Sequence, residues 1–137
     1  NMRESIKNTI QSGLPTIAEC GGFLYLLESL DGAAMAGVLS AKAHMMHRLQ
    51  PFGYVTLTAN CDNLLCKAGE NFPAHEFHYA QAVDSGADFR AVKPNGRTWD
   101  CGFSGDTLYA GFPHLYFRAK PEIAANFIRK CAERNIK

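Results

Sequence analysis

The stretch LPTIAECGGFLYLLESL, residues 14–30, constrains this chain more than any other. It holds an apolar run, one cysteine, two glycines, and then a second apolar run with a different period. Residues 14–18 read as a buried strand. Phe23, Leu24, Leu27 and Leu30 mark one face of a helix that starts near Gly21 or Gly22 and stops by Asp31-Gly32. A strand that passes directly into a helix needs a sharp turn between them, and Cys20 sits on it. Such a unit stabilises itself only when the helix packs back on a sheet, so the fold expected is α/β.

The rest of the chain supplies the other layers. Met2, Ile6 and Ile10 recur every four residues ahead of Gly13, which predicts a short amphipathic helix with a glycine cap. MAGVLSAKAHM and PFGYVTLTA read as strands, the second alternating Tyr54, Thr56 and Thr58 with Val55, Leu57 and Ala59. HEFHYAQAV alternates too, placing Glu76, His78 and Ala80 on one face and Phe77, Tyr79 and Gln81 on the other. Asn95-Gly96 is a strong hairpin signal between DFRAV and TWDCGF. DTLYAGFPHLYF reads as a further strand passing through His114. A last helix enters at Pro121, buries Ile123, Phe127 and Cys131, and ends in basic residues that suit its dipole. With no repeats, low-complexity tracts or linkers, residues 2–137 are expected to form one domain.

Composition narrows the function. The chain has 137 residues, 47% of them hydrophobic and 20% charged, which argues for a packed core and against disorder. A formal charge of +1 gives no field that would gather nucleic acid or an anionic membrane surface. No apolar run reaches bilayer length and the N-terminus lacks a signal-peptide profile, so a cytoplasmic location is expected. Asn1 directly before Met2 reads as an expression remnant on a segment cut from a longer chain. The five cysteines, at 20, 61, 66, 101 and 131, are expected as reduced thiols. Cys61 and Cys66 are too widely spaced for a paired zinc knuckle, and His44 and His47 share a face only on a helix, so no metal is expected.

Ala18-Glu19-Cys20-Gly21-Gly22 has the layout of a nucleophile elbow, with cysteine at the centre and alanine for the first glycine. On such a turn the side chain stands clear of the sheet and small neighbours admit substrate. A helix N-terminus would lower the thiol pKa, and the Gly21 N–H would face a developing oxyanion. The other reading of Cys20 is a buried, inert thiol. A nucleophilic thiol needs a base late in the chain, and His114 fits that part. A core histidine satisfied by hydrogen bonds is the alternative there.

These motifs together resemble one family. PTIAECGGFLYL resembles the nucleophile segment of the cobyrinic acid a,c-diamide synthases, whose C-terminal domain is a class I glutamine amidotransferase. AHEFHYA resembles that family's G-H-E-F-H-Y-S stretch, and YAGFPHLYF its histidine-bearing A-S-Y-x-H-L-H-F strand. The three occur in the family's order and span residues 15–117. The resemblance implies a class I amidotransferase-like (flavodoxin-like) sheet flanked by helices and lacking its N-terminal strands. It implies Cys20 as glutaminase nucleophile, His114 as general base, and Gly21, Gly22, Glu76 and His78 as oxyanion or substrate-binding residues. Ala74 and Ala80 replace glycine and serine, and Gly111-Phe112 replaces Ser-Tyr. Tyr116 stands where many triad amidotransferases carry the acid that orients their histidine, so a Cys–His dyad is expected.

The family's upstream glycine-rich oxyanion loop and its ATP-binding synthetase domain do not occur in these residues. ATP and Mg²⁺ are implied for that partner domain and no cofactor for this segment. The partners expected are glutamine and the synthetase domain, with no nucleic acid and no membrane. Two rival readings stay open: an inactive amidotransferase-like interaction domain, and a stand-alone cysteine hydrolase.

Overall fold

A computed structural model describes residues 1–50 and 52–135. Helix α1 (Met2–Gln11) is opened by Asn1, whose side chain accepts the Glu4 N–H while the Glu4 carboxylate returns to the Asn1 amine, a complete capping box. The helix closes at Ser12, and Gly13 takes the left-handed turn beyond it (φ +94). Strand β1 (Thr16–Glu19) follows, then helix α2 (Gly21–Leu26).

Helix α2 is shorter than its leucine spacing predicts. Strands β2 (Ser29–Leu30) and β3 (Ala33–Ala34) pair antiparallel around Asp31-Gly32. Both turn residues have positive φ, 49 and 81, the signature of a two-residue hairpin turn. Asp31-Gly32 therefore reverses a hairpin instead of ending a helix. Residues 35–41, expected as strand, spend their donors elsewhere. The N–H groups of Ala36, Gly37, Val38 and Leu39 bond to the carbonyls of Tyr25, Leu27 and Leu26, satisfying the open C-terminus of α2. Only β4 (Lys42–Met45) is extended there.

Strand β5 (Gly53–Ala59) alternates as its sequence predicts, with Val55, Leu57 and Ala59 buried; Pro51, placed in the same stretch, lies outside the described residues. β5 pairs antiparallel with β6 (Asn71–Glu76). The alternation continues through residue 80, yet the chain changes sheets after Glu76, and β7 (Ala80–Ala82) pairs with β4. Strands β8 (Phe89–Val92) and β9 (Thr98–Cys101) form the expected hairpin around Asn95-Gly96. Next come β10 (Phe103–Ser104), β11 (Leu108–Gly111) and β12 (His114–Leu115). The single strand expected through His114 is thus two, broken at Phe112-Pro113 and divided between two sheets. Helix α3 (Pro121–Asn135) ends the described chain.

The mixed α/β fold has three sheets among the described residues, ordered β1-β11-β10, β12-β6-β5-β8-β9 and β3-β2-β4-β7. The β1–β11 pair is parallel and ends with Glu19 opposite Gly111. It is also the wall between two apolar cores. On one side Ile17 and Tyr109 join Leu57, Phe72, Phe89 and Ile123 of α3. On the other, Ala18 and Ala110 join Phe23, Leu26, Leu27 and Phe112. Side chains alternate along a strand, so one strand pair serves both cores. Full burial of a side chain such as Phe23 contributes about 1.5–3 kcal/mol. The turn after β1 is therefore held by packing on both faces.

Candidate functional site

Cys20 carries the strain that such a turn requires. Its backbone sits at φ 49, ψ −104, a region that non-glycine residues avoid and that costs on the order of 1–3 kcal/mol. Neighbouring bonds hold it there: the Cys20 N–H donates to Gly111 O (2.9 Å), and Cys20 O accepts from Leu24 N–H (3.0 Å). The sulfur emerges half-buried, 3.8 Å from Phe77 O, in the segment between β6 and β7. A Cβ built on Gly21 would meet nothing within 4 Å, so the space over the turn is open, and one on Gly22 would touch Ala18 Cβ at 3.7 Å. Both glycines are exposed.

The thiol is less acidic than a helix N-terminus predicts. Burial raises its pKa first, the Gly21 N–H works in the opposite direction, and the Glu76 and Glu19 carboxylates raise it further. With only six residues, α2 offers a short dipole, and one N–H does not outweigh lost solvation plus two negative charges. The expected acidification is corrected on that ground. The thiol waits protonated.

His114 is brought to the same end of the molecule by the backbone. Gly111, which accepts from Cys20, lies three residues before it, and the Leu115 N–H just after it donates to Glu19 Oε2 at 2.5 Å. His114 itself is exposed, stands opposite His75 across β12 and β6, and lines a cavity of about 520 Å³ with Tyr54, His75 and Tyr116. Among the described residues no hydrogen bond joins it to the Cys20 sulfur, and the two expected dyad residues lie on different sheets, since β1 pairs with β11 and β12 with β6.

Glu76 and His78 lie together on the face that the alternation assigns them. Glu76 is 3% exposed, and its Oε2 is 3.7 Å from His78 Nε2. The His78 Nδ1 lies 2.7 Å from Ala80 O; a carbonyl only accepts, so Nδ1 carries the proton. The imidazole stacks on Phe112 at 3.7 Å, nearly parallel. Glu76, His78 and Phe112 line a second cavity of about 170 Å³ with Trp99 and Cys101. Phe112 lies in the break that the sequence hides within one apparent strand, so its contact with His78 has no signal in the spacing. Glu19 stands inside the elbow motif but reads there only as a strand-end polar residue.

This arrangement offers a thiol on a strained turn with one backbone N–H beside it, the buried Glu76 and half-buried Glu19 carboxylates near it, and the His114 imidazole on a strand of another sheet. It can perform acyl transfer through a thioester.

Comparison with known proteins follows the same lines. The family model described as a CobB/CobQ-like glutamine amidotransferase domain matches residues 1–122. The chain is 37% identical over 138 residues to the cobyrinate a,c-diamide synthase of Methanothermobacter thermautotrophicus, covering 97% of this chain and 31% of that protein. Identity is 34% over 140 residues to the cobyrinate a,c-diamide synthase of Caldanaerobacter subterraneus, with 96% and 31% covered. It is 37% over 134 residues to the hydrogenobyrinate a,c-diamide synthase of Streptomyces coelicolor, with 95% and 27% covered. The chain thus spans under a third of the length of these relatives.

Proposed function

The chain belongs to the family of CobB/CobQ-like glutamine amidotransferase domains, and on that premise we propose that it is the glutaminase of an ATP-dependent cobyrinic acid a,c-diamide synthase. It releases ammonia from glutamine for amidation of corrinoid-precursor carboxylates in cobalamin biosynthesis. ATP and Mg²⁺ act in the partner synthetase domain, where a carboxylate is activated, and the reaction runs in the cytoplasm. No helix among the described residues is long and apolar enough to cross a membrane.

The conformation of Cys20 carries the reading, because strain at a half-buried thiol is maintained only when its surroundings over-determine it. The residues act as follows. His114 takes the proton of the Cys20 thiol, and the thiolate attacks the side-chain amide carbon of glutamine. The Gly21 N–H donates to the oxyanion. The C–N bond breaks as the His114 imidazolium gives its proton to the leaving nitrogen, which departs as ammonia. Water, deprotonated by His114, then cleaves the thioester to glutamate and the free thiol. Exposed Gly21 and Gly22 leave the approach to the sulfur open, and Glu76 and His78 line the wall against which glutamine is positioned.

Glutamate release by the 137-residue chain together with a full-length relative's synthetase domain tests this. Cys20→Ser is expected to abolish release, and His114→Ala to lower it by about 10²–10⁴-fold, the usual worth of a general acid–base. Release that survives Cys20→Ser contradicts the proposal. One observation favours a second reading, an inactive interaction domain: the sulfur's hydrogen bond goes to Phe77 O. That reading predicts no glutamate release with the synthetase domain present.

A further inference from the structure

The backbone on both sides of His114 is clamped. On its N-terminal side the Tyr109 hydroxyl, fully buried, donates to Pro113 O at 3.0 Å. On its C-terminal side the Leu115 N–H donates to Glu19 Oε2 at 2.5 Å. The second contact is unusual in its origin. β12 is the edge strand of its sheet, and the Leu115 N–H is satisfied by a carboxylate from β1, in a different sheet. The β1–β11 ladder ends at the Glu19–Gly111 pair, after which the chain leaves through Phe112-Pro113. Glu19 bridges that departure with its side chain, and the residue that follows it is Cys20.

From this we propose that Glu19 is a positioning residue: its carboxylate fixes the His114 segment against the Cys20 turn by holding the Leu115 N–H. The inference rests on the reading of Cys20 and His114 as a glutaminase dyad. A charge-assisted bond of this kind is short and directional, so it sets the height of His114 relative to the sulfur. Two residues after His114 stands Tyr116, which has no carboxylate to orient the ring. The clamp orients the backbone that carries the ring instead, through a residue on the nucleophile's own strand. Small displacements of a dyad are expensive in rate, on the order of 10²-fold per ångström.

The test uses the 137-residue chain and two variants, Glu19→Ala and Glu19→Gln, the second keeping a carbonyl that accepts the Leu115 N–H. Two quantities are read: the Leu115 amide proton shift by NMR, and the rate at which a glutamine-analogue alkylator labels Cys20, resolved into limiting rate and half-saturation. In Glu19→Ala the Leu115 proton is expected to move upfield. The limiting labelling rate is expected to fall about 10- to 100-fold with half-saturation unchanged. Glu19→Gln recovers most of the rate. An unchanged Leu115 shift overturns the clamp, and a shifted proton with an unchanged limiting rate overturns its positioning role. A wild-type chain in which the analogue shows no preference for Cys20 overturns the dyad reading itself, and the positioning role with it.

Discussion

At Cys20 two demands compete. The turn that lifts the sulfur out of the sheet places a side-chain-bearing residue where glycine would rest easily. Cys20→Gly is therefore expected to be more stable than Cys20→Ala by about 1 kcal/mol, since alanine keeps the strain and glycine releases it. Chemical denaturation of the two variants measures the difference, and equal stabilities would mean that the turn is unstrained. The thiol's environment makes a second prediction. Reaction with iodoacetamide should titrate above the ordinary thiol value of 9.0, because burial and the Glu76 and Glu19 carboxylates all oppose the thiolate. Glu76→Gln removes one of those charges and shifts the profile to lower pH. The position of Cys20 was legible in the sequence, from glycines after an apolar run. Its acidity was not, because burial, the largest cause, and the Glu76 carboxylate on β6 are both supplied by the folded chain.

Elements were legible where one local signal decides. The four-residue period of α1 before Gly13, the alternation of β5 and the Asn95-Gly96 hairpin follow from neighbours within a few residues. Periodicity failed where two sheets share one alternating stretch. Residues 74–82 keep their alternation while crossing from one sheet to another, residues 108–115 change sheets within one mostly buried run, and neither pattern has a means of recording a change of partner. Asp31-Gly32 failed differently, since the same pair ends a helix or reverses a hairpin. Two glycines of positive φ separate the two kinds of constraint. Gly96 (φ +88) has open space around it, so Gly96→Ala should cost only about 1 kcal/mol. Gly86 (φ +91) lies against the Gly102 backbone, where a Cβ would overlap the carbonyl, so Gly86→Ala should cost about 3 kcal/mol. Equal thermal shifts for the two variants would contradict this account of the loop.

For the whole molecule, the β1–β11 wall binds two cores, and the termini add to it: Arg134 donates to Ser12 O at 3.1 Å, tying α3 to the end of α1. The cores also hold protonated groups that resist ionisation. Burial lifts the Cys101 thiol to about 12 and the Tyr109 phenol well above 10.0. A folded-state pKa above the unfolded one means that the native state keeps its proton longer. That stability is fully present below the unfolded value and is lost as pH rises toward the folded one. Unfolding followed from pH 7 to 11 should thus show a plateau to about pH 8.5, then a decline. Cys101→Ala should make that decline shallower, by up to about 1.4 kcal/mol per pH unit. A decline of the same slope in the variant would place the alkaline sensitivity elsewhere.

Whether Cys20 is the group that meets glutamine is read by mapping a glutamine-analogue alkylator on the 137-residue chain by peptide mass spectrometry. One adduct is expected, on Cys20, suppressed by added glutamine and absent from Cys61, Cys66, Cys101 and Cys131. Adducts spread across the cysteines, or labelling of Cys20 that glutamine does not suppress, would contradict that role.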